Sequence, residues 1–229
     1  MKNTSFVYAL STVFASAVLW ADPVTCLSPD GRAVVTFDLT AVGEPTYSFA
    51  FRGETVIAPS RLGFDIKALG ADAFDGRKAA DLRRDFVLTD VKRATADETW
   101  KPVWGEEKEI RDHHNELLVA LVQKTTGRRM NVRFRVFDEG LGFRYEFPSE
   151  EDKGVARLVP GQQIVPQGQT QPLTHFTIVE ERTRFNLPCD PLAWWIPADY
   201  ETQEYRYTNS KVTEIPSLFK GAPDANLSS

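Results

Sequence analysis

The sequence contains none of the short motifs that mark the commonest enzyme sites. Gly-x-Ser-x-Gly, Cys-x-x-Cys, a glycine-rich phosphate loop and His-Glu-x-x-His are all absent, so a serine nucleophile elbow, a P-loop and a zinc protease site have no basis here. No block of lysine or arginine occurs and the formal net charge is -5, so we expect no nucleic-acid partner. The two cysteines, Cys26 and Cys189, have no histidine close to them in sequence, so a zinc site is poorly supported.

Long apolar runs are also scarce, because one lies at the N-terminus and no second one follows. Residues 6–20 are apolar apart from serine and threonine, with Lys2 before them and the small Ala21 after them. Such a run is short for a membrane span and typical of a secretory signal peptide. We therefore predict that residues 1–21 are a signal peptide and that the mature protein is secreted or periplasmic, with no membrane partner after cleavage. An uncleaved anchor is the alternative.

Export would place the two cysteines in an oxidising compartment, where disulfides form and persist. A bond between Cys26 and Cys189 would tie the mature N-terminus to the C-terminal part of the chain. The sequence leaves open whether that bond forms.

Alternation of apolar and polar residues dominates the rest of the chain. Apolar side chains occupy every second position of the clearest run, Met130, Val132, Phe134 and Val136. A turn at 138–140 and a second alternating run over 141–147 follow, which predicts a β-hairpin with one buried face. Helical signals are few, and a short helix over 77–86 is the main candidate. We therefore predict an all-β fold, an antiparallel β-sandwich in one domain with few short helices.

The most unusual stretch is 194–207, where carboxylates and an amide occur among five aromatic rings. Its acidic and amide members are Asp199, Glu201, Gln203 and Glu204. Buried carboxylates need partners, and oxygen ligands beside flat apolar rings suit a hard metal ion or a sugar. If the second half of this stretch is extended, Glu204 projects into a site while Tyr205 and Tyr207 anchor the opposite face. Glu204 is therefore a candidate metal or substrate ligand.

Two further pairs of residues are weaker candidates. His113 and His114 are adjacent, so in a strand their rings point to opposite faces and cannot readily share a metal ion. We expect them to be polar positions of a strand. Trp100 and Trp104 flank a charged loop, and we expect these rings to cover an edge of the core rather than to stack on a sugar.

Four runs of residues, in this order, resemble those of one known family. They are Trp100-Lys-Pro-Val-Trp-Gly-Glu, Ile110-Arg-Asp-His-His-Asn-Glu, Phe134-Arg-Val-Phe-Asp-Glu-Gly-Leu-Gly-Phe-Arg-Tyr-Glu-Phe-Pro and Ala193-Trp-Trp-Ile-Pro-Ala-Asp-Tyr-Glu-Thr-Gln-Glu-Tyr-Arg-Tyr-Thr. The chain is similar, over most of its mature length, to the N-terminal domain of glycoside hydrolase family 97. That family comprises secreted bacterial α-glucosidases and α-galactosidases.

The resemblance implies a galactose-mutarotase-like β-super-sandwich over residues 22–215, packed against a catalytic (β/α)8 barrel. In the family the catalytic carboxylates come from the barrel, so the resemblance implies no catalytic residue here. A calcium ion takes one glutamate ligand from the N-terminal domain, and the position that matches it is Glu204. The family's α-linked oligosaccharide is contacted near the domain junction, which makes Asn226 a candidate substrate contact. Residues 216–229 are expected to begin the linker to the barrel.

The function implied by the resemblance is that of an accessory domain. It would brace the barrel, shape one wall of its pocket and donate Glu204 to calcium. Because the family's catalytic carboxylates lie in the barrel, hydrolysis by this chain alone is not expected. Two alternatives remain, namely a free-standing carbohydrate-binding protein that uses Trp194 and Trp195 as a platform, and a non-functional gene fragment. Preference for glucosides or galactosides, and for inversion or retention, would be set by the barrel.

Overall fold

The computed structural model describes residues 22–66, 80–148, 178–196 and 206–218, and its regular structure is dominated by antiparallel strands. The strands are β1 (Val24–Leu27), β2 (Ala33–Leu39), β3 (Pro45–Phe51), β4 (Glu54–Arg61), β5 (Phe64–Ile66), β6 (Ala80–Leu82), β7 (Phe86–Trp100), β8 (Ile110–Gln123), β9 (Arg129–Phe137), β10 (Gly140–Glu146), β11 (Ile178–Glu181), β12 (Leu192–Trp195) and β13 (Thr208–Lys211). A 3-10 turn, Val212–Glu214, and a one-turn helix α1, Ile215–Leu218, follow β13. The predicted all-β class is confirmed.

The proposed signal peptide, residues 1–21, lies outside the described residues. Within the four described stretches, no helix is long and apolar enough to cross a membrane.

The first large sheet has the strand order β1-β2-β3-β4. Every second residue of β2 and the first half of β3 is buried, as the alternation of side chains along a strand requires. The buried hydrophobic residues of these two strands are Ala33, Val35, Phe37, Tyr47 and Phe49. One face of this sheet therefore forms half of the core.

The second large sheet has the order β10-β9-β8-β7 and contains the predicted hairpin, since β9 and β10 pair antiparallel across their turn. The four apolar residues that alternate along β9 are all fully buried. Phe134 at the centre of β9 packs across the core against Phe37 and Tyr47, with ring centroids 6.3 and 6.2 Å away. The two sheets thus pack face to face, and the polar alternates of β8, β9 and β10 lie on the outer face.

Two smaller sheets complete the fold, in the orders β11-β5-β6 and β12-β13. The helix predicted over 77–86 is wrong for its described part, which forms β6, a bend and the start of β7; residues 77–79 lie outside the described residues. Leu82 in β6 is fully buried and lies opposite Phe64 of β5. Burial against a neighbouring strand therefore outweighs the local helical preference.

Strands β7 and β8 continue beyond the sandwich as a two-stranded ribbon. β8 pairs with β9 as far as His114 opposite Phe137, whereas β7 and β8 stay paired out to Trp100 opposite Ile110. Trp100 is 52% exposed, and Trp104 in the following loop is 88% exposed. The expectation that these two rings cover the core edge is therefore wrong, because the ribbon carries them away from the core.

Candidate functional site

Both residues predicted to contact ligand, Glu204 and Asn226, lie outside the described residues. Their roles toward calcium and sugar stay predictions. The structure does describe the strands on either side of the segment that contains Glu204. Strand β12 pairs antiparallel with β13, and Trp195 lies opposite Thr208. The acidic and aromatic stretch singled out in the sequence therefore joins the two strands of a ribbon.

The two tryptophans of this ribbon have different environments. Trp195 is partly buried, and its Nε1–H donates a hydrogen bond of 3.0 Å to Oγ of the buried Ser210. Trp194 points away and is 72% exposed. Trp195 therefore anchors the ribbon, while Trp194 presents a large apolar ring to its surroundings.

Asp190 fixes the turn that follows the ribbon. Its carboxylate accepts hydrogen bonds from the backbone N–H of Thr213, at 3.0 Å, and from the Thr213 hydroxyl, at 2.7 Å. These hydrogen bonds to the charged form lower the pKa of Asp190. The carboxylate is therefore engaged in local structure.

The histidine pair takes part in local packing. His114 is buried, its Nδ1 lies 2.5 Å from Oδ1 of Asp112, and its ring centroid is 5.1 Å from that of Phe137. Across the part of the chain that the structure describes, no group of three or more histidine, cysteine or acidic residues is placed to hold a metal ion.

The disulfide that the sequence left open is not formed, and both cysteines are free thiols. Cys26 is buried in β1 and Cys189 is exposed in the loop before β12. Burial raises the pKa of the Cys26 thiol, because a thiolate is poorly solvated there. Alternation along β1 turns Cys26 into the core, which explains why it does not meet an exposed partner.

The outer face of the second sheet carries a network of charged and polar side chains, of which the sequence had singled out only His114. We call this network the outer lattice, and its members are Asp112, His114, Glu116, Arg133, Arg135, Arg144 and Glu146. They are alternate residues of three neighbouring strands, so they share the face opposite the core. The polar residues at alternate positions of each run predicted a solvent-facing side of each strand. The sequence of one strand does not show which charged residues of the neighbouring strands will lie beside them.

Arg133 is at the centre of the outer lattice. Its Nε–H donates to Oε1 of Glu146 at 2.6 Å and an Nη2–H donates to Oε2 at 3.1 Å, so the pair is bidentate. Arg133 also donates to Glu116. These bonds raise the pKa of Arg133, and the Arg133 guanidinium is the main cause of the lowered pKa of Glu146. The third arginine, Arg144, reaches the same Glu146 oxygen, Oε1, from Nη2 at 2.8 Å.

A cleft of about 170 Å³ opens beside the outer lattice. Its lining residues are Arg133, Arg135, Phe137, Gly142, Phe143 and Arg144. Gly142 lies directly opposite Arg135 in the β9–β10 register, and a Cβ atom added to Gly142 would have nothing within 4 Å. The missing side chain of Gly142 therefore leaves room for the cleft beside the arginines of β9 and β10.

Comparisons with known proteins identify relatives of this fold. The family model described as Glycosyl-hydrolase 97 N-terminal matches residues 26–224. A glycoside hydrolase family 97 enzyme in complex with acarbose, from Pseudoalteromonas sp. strain K8, is 30% identical with a TM-score of 0.64, and the match covers 82% of this chain and 24% of that chain. A variant of the enzyme in complex with panose matches with the same identity and coverage and a TM-score of 0.63. A beta-arabinopyranosidase at 20% identity, with a TM-score of 0.55, shares the fold. This chain spans about a quarter of the length of these enzymes.

Proposed function

Because this chain belongs to the family of N-terminal domains of glycoside hydrolase family 97, we propose that it is the non-catalytic accessory domain of a secreted, calcium-dependent α-glycosidase. It braces the catalytic domain, forms part of the wall of the substrate pocket and donates Glu204 to calcium. The remaining three quarters of the matched enzymes supply the catalytic carboxylates. By itself, the domain does not hydrolyse glycosides.

The observation that carries the bracing role is where the exposed apolar side chains lie. Nine of the sixteen exposed large hydrophobic residues in the described part of the chain occur in the two short stretches 178–196 and 206–218. They are Ile178, Val179, Phe185, Leu187, Leu192, Trp194, Tyr207, Val212 and Leu218. Exposed apolar residues at this density mark interaction surfaces. These stretches are also the last described part of the family match, on the side where the longer relatives continue into the rest of the enzyme.

The calcium role follows from the chemistry of the donor. Calcium binds about six to eight oxygen atoms, and a glutamate is a typical ligand. One carboxylate is too few, and the described residues offer no further cluster of acidic side chains suited to a metal. We propose that the other ligands come from the catalytic domain, so that calcium fixes the two domains against each other.

A chimeric enzyme tests this function. Residues 22–229 replace the N-terminal quarter of the Pseudoalteromonas enzyme, and hydrolysis of a chromogenic α-glucoside is measured as calcium is titrated. We expect a folded, active chimera in which Glu204→Gln raises the calcium concentration needed for half-maximal activity. The control is Glu201→Gln, which removes a nearby carboxylate predicted to lie on the other face.

Two results would contradict the proposal. Identical calcium curves for the chimera and its Glu204→Gln variant would remove the calcium assignment. A chimera that folds, as judged by circular dichroism, but has no activity at any calcium concentration would remove the bracing role.

A second candidate function is a carbohydrate-binding protein with Trp194 as its platform. The 72% exposure of Trp194, next to the hydrogen-bonded Trp195, favours it. Titration of the chain with maltotriose before and after Trp194→Ala tests this alternative. It predicts saturable binding that the substitution abolishes.

A further inference from the structure

We propose that the cleft beside the outer lattice binds one pyranose ring of a neutral oligosaccharide, in a site formed wholly by this chain. The choice of α-linked glucosides as its ligands rests on the proposed function. The site itself is argued from its shape, its charge and its walls.

The shape of the cleft depends on Gly142, one of two glycines of β10. Gly140 lies opposite Phe137, and Gly142 lies opposite Arg135. Neither glycine would place a Cβ within 4 Å of another atom, so both positions border open space. Arg144, two residues after Gly142 on the same strand, also lines the cleft. The cleft therefore exists because β10 has no side chain at Gly142, while β9 has the long side chains of Arg133 and Arg135 beside it.

The size of the cleft limits its ligand to about one ring. Pockets that enclose drug-sized ligands measure roughly 300–1,000 Å³, whereas this cleft measures about 170 Å³. A single sugar ring fits such a space, and the rest of an oligosaccharide would extend along the exposed sheet.

The charge of the outer lattice favours a neutral ligand over an anion. Its three arginines are matched by three carboxylates, and each arginine contacts at least one of them. Because each guanidinium is already paired with a carboxylate, its attraction for a further anion is weakened. Three arginines and no carboxylate line the cleft, so the hydroxyl oxygens of a sugar would accept hydrogen bonds from guanidinium N–H groups. Arg135 and Arg144 keep 43% and 64% of their side-chain surface exposed for this purpose.

The walls of the cleft suit the apolar face of a sugar. Phe137 and the carbon stems of the arginines contribute carbon surface beside the charged groups. Phe137 is held by the buried His114 ring. The guanidinium of Arg133 is held by Glu116 and Glu146. Because these groups are already ordered, binding a sugar would cost little side-chain entropy.

The test is a titration of residues 22–229 with maltotriose, followed by the 1H–15N NMR signals of the backbone and of the arginine Nε–H groups. We expect saturable shifts at Gly142 and Arg135 with a Kd on the order of 1 mM. Gly142→Ile places a branched side chain in the cleft and should weaken binding about tenfold or more. The matched control is Gly140→Ile on the same strand, which borders open space but does not line the cleft, and it should bind like the parent chain.

A second variant and two further arms complete the test. Phe137→Leu keeps an apolar side chain but removes the ring, and should weaken binding several-fold. Inorganic phosphate should not displace maltotriose, and Trp194→Ala should leave binding unchanged. Absence of saturable shifts, unchanged affinity in both cleft variants, displacement by phosphate, or loss of binding in Trp194→Ala would each overturn the proposal. None of these outcomes alters the calcium titration of the chimera, so this site and the proposed function fail independently.

Discussion

Replacing Gly43 with alanine should destabilise the sandwich far more than an alanine at Gly53, a left-handed glycine with open space around it. Gly43 has a φ of 69°, and a residue with a Cβ costs about 1 kcal/mol in that region. The added Cβ would also lie 2.5 Å from the backbone oxygen of Phe86 and 2.6 Å from its nitrogen. Backbone cannot rotate away as a flexible side chain does, so the start of β7 must move.

That movement disrupts one of the connections between the two large sheets. Two backbone hydrogen bonds join the β2–β3 turn to β7, from Phe86 N–H to the Gly43 oxygen at 3.0 Å and from Asp85 N–H to the Val42 oxygen at 2.9 Å. Each contributes about 1 kcal/mol net. Together with the backbone strain, Gly43→Ala should lower the free energy of unfolding by about 3 kcal/mol.

Urea denaturation of residues 22–229, followed by tryptophan fluorescence, measures this change. Gly53→Ala is the matched control, because Gly53 has a φ of 83° and nothing within 4 Å of its added Cβ. It should cost about 1 kcal/mol, from the backbone strain alone. Equal losses in the two variants would refute the reasoning, since the close approach at Phe86 would then have no effect on stability.

Three further outcomes follow from the described contacts. The pKa of Glu146 is lowered in the folded state, so its stabilisation is present above the unfolded-state pKa and is lost as the pH falls through the folded-state value. Glu146→Gln should therefore reduce the loss of stability on acidification. If the urea midpoint of the variant depended on pH as that of the parent chain does, this reasoning would be contradicted. Cys189 should react with a thiol reagent in the native protein and Cys26 only after unfolding. In the Cys189→Ser variant, where Cys26 is the remaining thiol, a native reaction as fast as that of the parent chain would show that Cys26 is not buried. Trp104→Ser should leave the unfolding free energy within about 0.5 kcal/mol of the parent value, because its ring is 88% exposed, whereas a larger loss would mean that the ribbon tip packs on the domain.

Much of the fold could be predicted from local pattern. The alternation in β9 identified its buried face, and the glycine-containing turn identified the β9–β10 hairpin, because period-two patterning is a property of each strand by itself. The family was also predicted from runs of residues, and both the family and the all-β class are confirmed. The helix over 77–86 was one local error, since burial of Leu82 against β5 depends on pairing between strands, which the local pattern does not show.

The candidate functional residues were less predictable from the sequence than the fold was. Glu204 was predicted from an acidic and aromatic stretch and from family resemblance, and its role in binding calcium stays a prediction, as does that of Asn226 toward sugar. The outer lattice and its cleft were not predicted at all. Each arginine looked like an ordinary solvent-facing position of an alternating run, and nothing in one run states which carboxylate will lie beside it.

The sequence alone therefore determined which side of each strand is apolar, where the clearest turn lies and which family the chain resembles. Only the tertiary structure decided that Arg133 meets Glu116 and Glu146, that Gly142 leaves a cleft opposite Arg135, and that Cys26 remains a buried thiol. The physical reason is that alternation is a property of each strand by itself. The register between strands and the identity of the neighbouring strand are set when the whole sheets pack against each other.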